Sequence, residues 1–331
     1  MKKRIVAIMA ILCMVCSLFI GCGSGGTDDE NSGNGNESGD KKTIGLVVHS
    51  LDDNYVSYLV DAFENAVAQT NDYELMVLDS KKDVNTESQN VTNLISMNVA
   101  GIVLHCVDSN ACENYVTQCK EAGIPLVTTK VLYSSTEPDA TIIMDSHETG
   151  VAQAEGLVSQ MGEEGQVVIL LGELGSEYTN ERTAGNEEVF EEYDGISVVH
   201  EECANWSRAD AMDIIENLLQ SGQEFNAVIS NNDEMAIGAA LAIEGQGLDL
   251  NDYYIAGIDS TPEALDAIQE GLLDVTVFDN VKDIADTAVD AIEKLNNGET
   301  VESTINLECT VITKDNTDEC QQVWDEVLGE E

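Results

Sequence analysis

The feature that most constrains the fold is an alternation, from Thr43 onward, of short apolar runs with amphipathic stretches. Runs rich in Val, Ile and Leu predict buried strands at Thr43–Val48, Tyr73–Asp79, Gly101–Cys106 and Pro125–Thr129. Apolar residues at helical spacing predict helices between them, at Tyr55–Gln69, Thr86–Met97 and Ala111–Ala122. Strands and helices that alternate in this order build a parallel sheet with helices on both faces.

The same alternation returns in the second half of the chain. Strands are predicted at Gln166–Leu171, Ile196–His200, Ala227–Ser230, Tyr254–Ile258 and Val275–Phe278. Helices are predicted at Gly150–Met161, Arg182–Glu192, Ala209–Gln220, Glu234–Glu244 and Pro262–Glu270. A last helix, Lys282–Leu295, precedes two short apolar runs, Ser303–Leu307 and Thr310–Thr313. Two α/β units in series, with elements left over at the end, predict two lobes between which the chain crosses more than once.

The charge balance excludes several classes of partner. The 331 residues include 63 Asp and Glu against 14 Lys and Arg, which gives a formal net charge of −49. A surface this negative repels phosphate backbones, so we expect no nucleic acid partner. The same field argues against docking through a basic face on an anionic membrane. Because 43% of the residues are hydrophobic, the composition is that of a globular core and not of an acidic disordered tail.

The N-terminus has the pattern of an export signal. Three basic residues at positions 2–4 precede an apolar run from Ile5 to Ile20. This order predicts a signal peptide at residues 1–21. A transmembrane helix is the alternative, but a run of about 16 residues is short for a membrane span.

The residues that end this signal indicate a lipid anchor. The segment Leu18-Phe19-Ile20-Gly21-Cys22 resembles a bacterial lipobox, which implies that Cys22 is lipidated and becomes the mature N-terminus. A simple secreted signal is the second reading. The following residues are mostly Gly, Ser, Asn, Asp and Glu, so residues 22–42 are predicted to form a flexible tether between membrane and folded body.

The remaining cysteines do not define a metal or redox site. Six cysteines follow the signal and the lipidation site: Cys106, Cys112, Cys119, Cys203, Cys309 and Cys320. None of them forms a Cys-x-x-Cys pair, so neither a zinc cluster nor a redox dithiol is indicated. In an exported protein some of them could pair, for instance Cys309 with Cys320, or all could remain buried thiols.

Motifs of familiar enzymes and cofactor sites are missing. No Gly-x-Gly-x-x-Gly follows a predicted strand, and the sequence has no phosphate loop, no His-Glu-x-x-His and no Gly-x-Ser-x-Gly. The four histidines are scattered, and His200 with Cys203 supplies too few ligands for a metal. We therefore expect no cofactor, no metal and no enzymatic activity.

Polar and aromatic residues do collect where predicted strands end. In doubly wound sheets, ligands bind at the carboxyl ends of the strands. These positions carry His49 with Asp52–Tyr55, Lys130, Asn231–Asp233, Asp259 and Asp279-Asn280. Arg182 and Trp206 lie near the starts of predicted helices in the second half. Each residue alone has an ordinary explanation as a helix cap or a core side chain, but together they favour a binding site between the lobes.

Several segments resemble one family along most of the chain. They are Thr43-Ile-Gly-Leu-Val-Val48, Val77-Leu-Asp-Ser80, Ala122-Gly-Ile-Pro125, Asn232-Asp-Glu-Met-Ala-Ile-Gly-Ala239 and Ala256-Gly-Ile-Asp-Ser-Thr-Pro262. In this order they resemble the ribose- and galactose-type substrate-binding proteins of sugar ABC importers. The resemblance implies two doubly wound parallel-sheet lobes joined by a three-stranded hinge, the type I architecture of periplasmic binding proteins. It places the N-terminal lobe at 43–146 plus 280–308 and the C-terminal lobe at 147–279 plus 309–331.

The resemblance also assigns candidate ligand contacts. By position, Arg182, Trp206, Asn232 and Asp259 fall on family ligand contacts, Tyr55 is a first-lobe ring, and Asp53 stands where ribose binders have Asn. Three positions depart from the ribose pattern: Lys130-Val131 replaces Asp-Arg, His49 replaces a small hydroxyl residue, and Asp279 replaces Gln. These departures argue against ribose itself and leave a monosaccharide, a polyol or an amino-bearing relative.

The resemblance implies a monomeric lipoprotein that captures a sugar or polyol and delivers it to an ABC permease. A sensory protein that presents its ligand to a membrane receptor kinase would have the same core and is the alternative. An extracellular enzyme is a more distant reading.

Overall fold

Two parallel sheets with helices on their faces make up the part of the chain that the computed structural model describes, residues 41–129 and 137–329. The predicted signal peptide, the lipidation site Cys22 and nearly all of the predicted tether lie outside the described residues. So does Lys130, one of the candidate ligand contacts. The first described strand begins at Lys42.

The first sheet has six parallel strands. They are β1 (Lys42–Val48), β2 (Tyr73–Asp79), β3 (Gly101–His105), β4 (Leu126–Thr129), β5 (Ala140–Met144) and, from late in the chain, β11 (Thr304–Leu307). Their order is β11-β5-β4-β3-β1-β2. The helices of this lobe are α1 (Asn54–Ala68), α2 (Val84–Met97), α3 (Ser109–Ala122) and α9 (Val281–Asn296). Since helices cover both faces, β3 is buried at every residue, which explains its apolar sequence from Gly101 to Leu104.

The second sheet has four parallel strands in the order β7-β6-β8-β9. They are β6 (Glu164–Leu171), β7 (Gly195–Cys203), β8 (Ala227–Ser230) and β9 (Tyr254–Ala256). Two short strands, β10 (Thr276–Phe278) and β12 (Thr310–Ile312), pair antiparallel beside it. The helices are α4 (Ser146–Met161), α5 (Glu177–Glu191), α6 (Arg208–Ser221), α7 (Asp233–Gly245), α8 (Pro262–Glu270) and α10 (Thr317–Leu328), with a single 3-10 turn at Leu250–Asp252.

The chain crosses between the two sheets three times. It leaves the first sheet after β5, returns to it between β10 and α9, and leaves it again between β11 and β12. The predicted fold class, α/β with two parallel-sheet lobes and a hinge of three segments, is therefore confirmed. The exact lobe boundaries given above stay predictions.

One strand and one α-helix were not predicted, and helices α4 and α5 both begin a full turn or more earlier than predicted. Strand β5 and helix α10 have no counterpart in the sequence analysis. Helix α5 starts at Glu177 and not at Arg182, so Arg182 lies in its second turn and not near its start. The five residues before Arg182 are polar apart from Tyr178, and the apolar spacing that marks a helix is therefore missing there.

Candidate functional site

A cavity of about 380 Å³ lies where the carboxyl ends of the two sheets face each other. Its walls come from the residues after β1, β3 and β6, the first turns of α1 and α5, and the loop between β7 and α6. The volume is near the lower end of the roughly 300–1,000 Å³ typical of small-molecule sites. The cavity therefore suits a ligand of monosaccharide size.

Seven of the nine predicted contacts line this cavity: His49, Asp53, Tyr55, Arg182, Trp206, Asn232 and Asp259. The eighth, Asp279, lies directly behind it, with Oδ2 3.9 Å from Nη2 of Arg182. The ninth, Lys130, is outside the described residues.

Arg182 is held by close packing of its helix. A Cβ atom at Gly150 of α4 would lie 2.1 Å from the carbonyl oxygen of Arg182, so only glycine allows the two helices to approach this closely. Nη1 of Arg182 donates to the carbonyl oxygen of Asn231 at 2.5 Å and lies 3.9 Å from Oδ1 of Asp259. Its Nε is buried and has no hydrogen-bond partner among the described residues.

Trp206 depends on a glycine beneath its ring. Asn205 and Trp206 both have positive φ, 52° and 62°, in the tight turn that precedes α6. The indole lies against Gly172, where a Cβ would be 2.1 Å from Cζ2 of the ring. Gly172 is itself fixed, because its N–H donates to the side-chain oxygen of Asn231 at 3.0 Å.

On the first lobe, Asp53 has a structural role and an electrostatic one. It is the N-cap of α1, and its Oδ1 accepts from the N–H of Tyr55 at 3.0 Å. Nε2 of His49 lies 3.6 Å from Oδ2 of Asp53. Burial alone would raise the pKa of Asp53, but its hydrogen bond to His49 and the charge of His49 lower that pKa below the ordinary value. Asp53 therefore faces the cavity as a carboxylate.

Tyr55 and Asn232 complete the polar wall. Burial, and then the charges of Asp279 and Asp259, raise the pKa of Tyr55 well above its ordinary value, so its hydroxyl keeps its proton. The side-chain oxygen of Asn232 caps α7 by accepting from the N–H of Met235 at 3.0 Å. The ordinary explanation of Asp53 and Asn232 as helix caps is thus correct, and both residues also line the cavity.

The sequence analysis missed several cavity residues, among them two with rings that face the cleft, His105 and Tyr178. His105 ends β3, and its Nδ1 lies 2.8 Å from the hydroxyl of Thr129. Its ring centroid is 5.2 Å from that of His49 and 6.4 Å from that of Tyr178 across the cleft. The strand-end rule that selected His49 would also have selected His105. Tyr178 had no such signal, because it lies in the unrecognised first turn of α5.

Two polar contacts join the lobes at the edge of the cleft. Nζ of Lys82, after β2, lies 2.8 Å from Oε1 of Glu173, after β6. Nδ2 of Asn54, at the start of α1, donates to Oε1 of Glu234 in α7 at 3.0 Å. The structure therefore has the lobes in contact, which is the closed arrangement of a hinged pair.

The cysteines and the candidate metal ligands add no further site. Cys106, Cys112, Cys119, Cys203, Cys309 and Cys320 are all free thiols, so the suggested pair of Cys309 and Cys320 is not formed. Among residues 41–129 and 137–329, no group of three or more His, Cys, Asp or Glu is arranged to hold a metal ion. Within the same ranges, no helix combines the length and the apolar sequence that crossing a membrane requires.

Comparison with known proteins identifies the family. Residues 44–300 match the periplasmic binding protein domain. The chain belongs to the periplasmic binding protein family. This family consists of solute-binding proteins, and the predicted family resemblance is confirmed.

Three members of the periplasmic binding protein family illustrate the similarity. The protein named "Putative rhizopine-binding protein" of Rhizobium meliloti is 33% identical over 286 residues, 85% of this chain and 93% of that protein. The ribose import binding protein of Bacillus subtilis is 28% identical over 81% of this chain and 87% of its own length. An ABC transporter solute-binding protein from Bacillus halodurans, solved with myo-inositol, is 36% identical with a TM-score of 0.80, and the match covers 86% of this chain and 98% of that one.

Proposed function

We propose that this periplasmic binding protein captures a small polyhydroxylated solute, a monosaccharide or a cyclitol, between its lobes and delivers it to an ABC permease. The observation that carries the proposal is one cavity with polar side chains from both sheets, including Asp53 and His49 of the first lobe and Arg182 and Asp259 of the second. The relatives named above, which include a ribose import binding protein and a myo-inositol complex, support the same class of ligand.

The side chains suit recognition of hydroxyl groups on a ring. Carboxylates such as Asp259 accept hydrogen bonds from hydroxyls, while Asn232 can both donate and accept. Arg182 can donate to two ligand oxygens through its planar guanidinium. The faces of Trp206 and Tyr178 can cover the C–H surface of a sugar or cyclitol ring. Such a site positions its ligand and needs no covalent chemistry, so we propose that the protein is not an enzyme.

Ligand binding would act by stabilising the closed arrangement of the lobes. A shift from 1:99 to 99:1 in favour of the closed form needs about 5.5 kcal/mol of differential affinity. Hydrogen bonds to charged groups contribute roughly 1.5–3 kcal/mol each, so a few contacts made only when both lobes reach the ligand are sufficient. The permease would then bind the closed form.

A cyclitol is the ligand class that we favour over ribose. The solved relative with bound myo-inositol is 36% identical to this chain, whereas the ribose import protein is 28% identical. His49 and Asp279 also depart from the ribose pattern, and both belong to the site or adjoin it.

We further propose that the mature protein is a monomer anchored to the extracytoplasmic face of the cell membrane by lipid on Cys22. The lipobox-like sequence supports this anchor. The sensory alternative stays a hypothesis without specific support.

The proposal is tested by calorimetric titration and thermal shift with myo-inositol, D-ribose, D-allose and xylitol as probes. We expect stoichiometric, reversible binding of at least one probe with a rise in the melting temperature, and the tightest binding for myo-inositol. If none of the four binds, the proposed ligand class is wrong. Recovery of chemically changed ligand after incubation would contradict the non-enzymatic assignment.

A further inference from the structure

The backbone that carries Asp259 has a conformation that side chains disfavour. Asp259 has φ of 116° and the next residue, Ser260, has φ of 50°, although neither is glycine. Such residues persist only where the surrounding structure fixes them, and they concentrate at ligand sites. The segment 259–261, which we call the Asp259 loop, therefore needs neighbours that hold it.

Side chains from three other elements bond to the backbone of the Asp259 loop. The indole N–H of Trp324, in α10, donates to the carbonyl oxygen of Ser260 at 2.6 Å. The hydroxyl of Thr276, in β10, accepts from the N–H of Ser260 at 3.1 Å.

The third side chain is the carboxylate of Asp233, at the start of α7. Its Oδ2 accepts from the N–H of Thr261 at 2.9 Å, and its Oδ1 accepts from the hydroxyl of Thr276 at 2.7 Å. All the residues in these bonds are buried. The Asp259 loop is therefore fixed by donors and acceptors that water does not reach.

Trp324 also lies between the two ligand-contacting regions. Its side chain is fully buried, and its ring centroid is 5.0 Å from that of Tyr58 in α1 and 6.1 Å from that of Phe278 in β10. Helix α1 carries Tyr55 in its first turn, one helical turn before Tyr58. β10 leads into the second crossing between the lobes. One side chain thus contacts the hinge, the first-lobe helix and the Asp259 loop.

We propose that Trp324, together with Thr276, is a positioning residue for ligand binding: it fixes the strained Asp259 loop against the hinge and against α1. The proposal rests on the proposed function, in which Asp259 contacts the ligand. An ordinary core tryptophan would contribute to stability alone. A positioning residue also changes the affinity for the ligand, because its bond to the carbonyl of Ser260 fixes the Asp259 loop. Loss of the indole N–H should therefore weaken ligand binding only if Trp324 is a positioning residue.

The experiment compares Trp324→Phe with Asn65→Ala in the full chain. Phenylalanine keeps an aromatic ring and loses the N–H donor. Asn65 of α1 donates to the carbonyl oxygen of Val327, so its removal also takes one bond from α10 but leaves the Asp259 loop untouched. The readouts are the Kd for myo-inositol and amide hydrogen exchange of the ligand-free proteins.

We expect Trp324→Phe to raise the Kd about three- to tenfold, the loss of one buried hydrogen bond. The amides of Ser260 and Thr261 should exchange faster, with little change elsewhere, and Asn65→Ala should leave both readouts at wild-type values. An unchanged Kd and unchanged exchange in Trp324→Phe would overturn the proposal. So would faster exchange spread evenly over the chain, since that indicates a stability role only.

A second pair of variants covers the case in which Trp324→Phe does not fold. Thr276→Val removes the hydroxyl that holds the N–H of Ser260, and Thr276→Ser retains it. The valine variant should show the same local exchange and weaker binding, and the serine variant should restore both. If the wild type binds none of the four probes, the proposed function fails, while the exchange of Ser260 and Thr261 still tests the positioning role.

Discussion

The indole of Trp206 rests on the backbone of Gly172: a Cβ atom at that glycine would lie only 2.1 Å from Cζ2 of the ring. Trp206 reaches this position through a turn in which Asn205 and Trp206 both have positive φ. The apolar pattern of the sequence does not indicate the contact between Trp206 and Gly172. The end of β6 and the loop between β7 and α6, both in the second lobe, are thus matched by the absence of one side chain.

Replacement of Gly172 by alanine should therefore displace Trp206 and weaken ligand binding. We expect a roughly two- to tenfold rise in the Kd for the ligand identified in the screen, because a ring that covers an apolar ligand face contributes about 0.5–1.5 kcal/mol beyond its buried area. Calorimetric titration measures the effect. Gly245→Ala is the control, since a Cβ there meets nothing within 4 Å. Equal affinity of the two variants would contradict the role of Gly172.

Arg182→Lys should abolish most of the binding although the charge is kept. Arg182 is buried, donates from Nη1 to the carbonyl of Asn231 and has a second nitrogen near Asp279. A lysine ammonium carries its three N–H donors on one nitrogen, and that nitrogen cannot occupy the positions of both Nη1 and Nη2 of Arg182. We expect the ligand-induced rise in melting temperature to disappear, with circular dichroism unchanged. Wild-type affinity in Arg182→Lys would remove Arg182 from the site.

The alternation of strands and helices could be predicted from the sequence because both faces of each parallel sheet are buried. β5 was missed because the sequence analysis predicted no helix between Thr129 and Ala140, so the expected alternation did not mark a further strand there. α10 was missed because its buried apolar residues, Cys320, Trp324 and Val327, are few and lie among acidic ones. His49 follows β1 and Asp259 follows β9, and both line the cavity because the carboxyl ends of the two sheets face each other. Residues at strand ends could therefore be predicted as site residues from the strand assignment alone.

The rest of the site depends on packing between elements that are distant in sequence. Trp324 reaches Ser260 over 64 positions, and Lys82 reaches Glu173 over 91. No local pattern encodes such contacts. The roles of Arg182 and Trp206 came from the family resemblance and not from periodicity.

The ion pair between Lys82 and Glu173 should favour the closed form. Lys82→Glu places two acidic side chains opposite each other across the cleft. Because an exposed ion pair contributes at most about 1 kcal/mol, we expect a two- to fivefold rise in the Kd for the ligand. This rise should be smaller at high salt, which screens exposed charges. Titration at low and high ionic strength measures it. Lys294→Glu is the control, because Lys294 pairs with Asp290 within α9. A Kd that is unchanged at low salt in Lys82→Glu would show that this contact does not influence closure.

Glu87 should make the protein less stable as the pH rises to neutrality. Burial raises its pKa from 4.5 to about 7, even though the N–H of Val107 donates to its Oε2 at 2.6 Å. A raised folded-state pKa means that the folded state binds the proton more tightly. The contribution of Glu87 is therefore full below about pH 4.5 and is lost as the pH rises through about 7.

Glu87→Gln keeps an acceptor for the N–H of Val107 and removes the titrating carboxyl group. The free energy of unfolding of this variant should therefore fall less between pH 5 and pH 8 than that of the wild type. The difference in slope should amount to no more than about 3 kcal/mol over this range. Burial also raises the pKa of Asp233 to about 7. Asp233 is present in both proteins, so its titration does not affect the comparison. Urea unfolding at the two pH values measures the effect, with the exposed Glu121→Gln as the control. Parallel pH profiles for wild type and Glu87→Gln would show that Glu87 is not the titrating group.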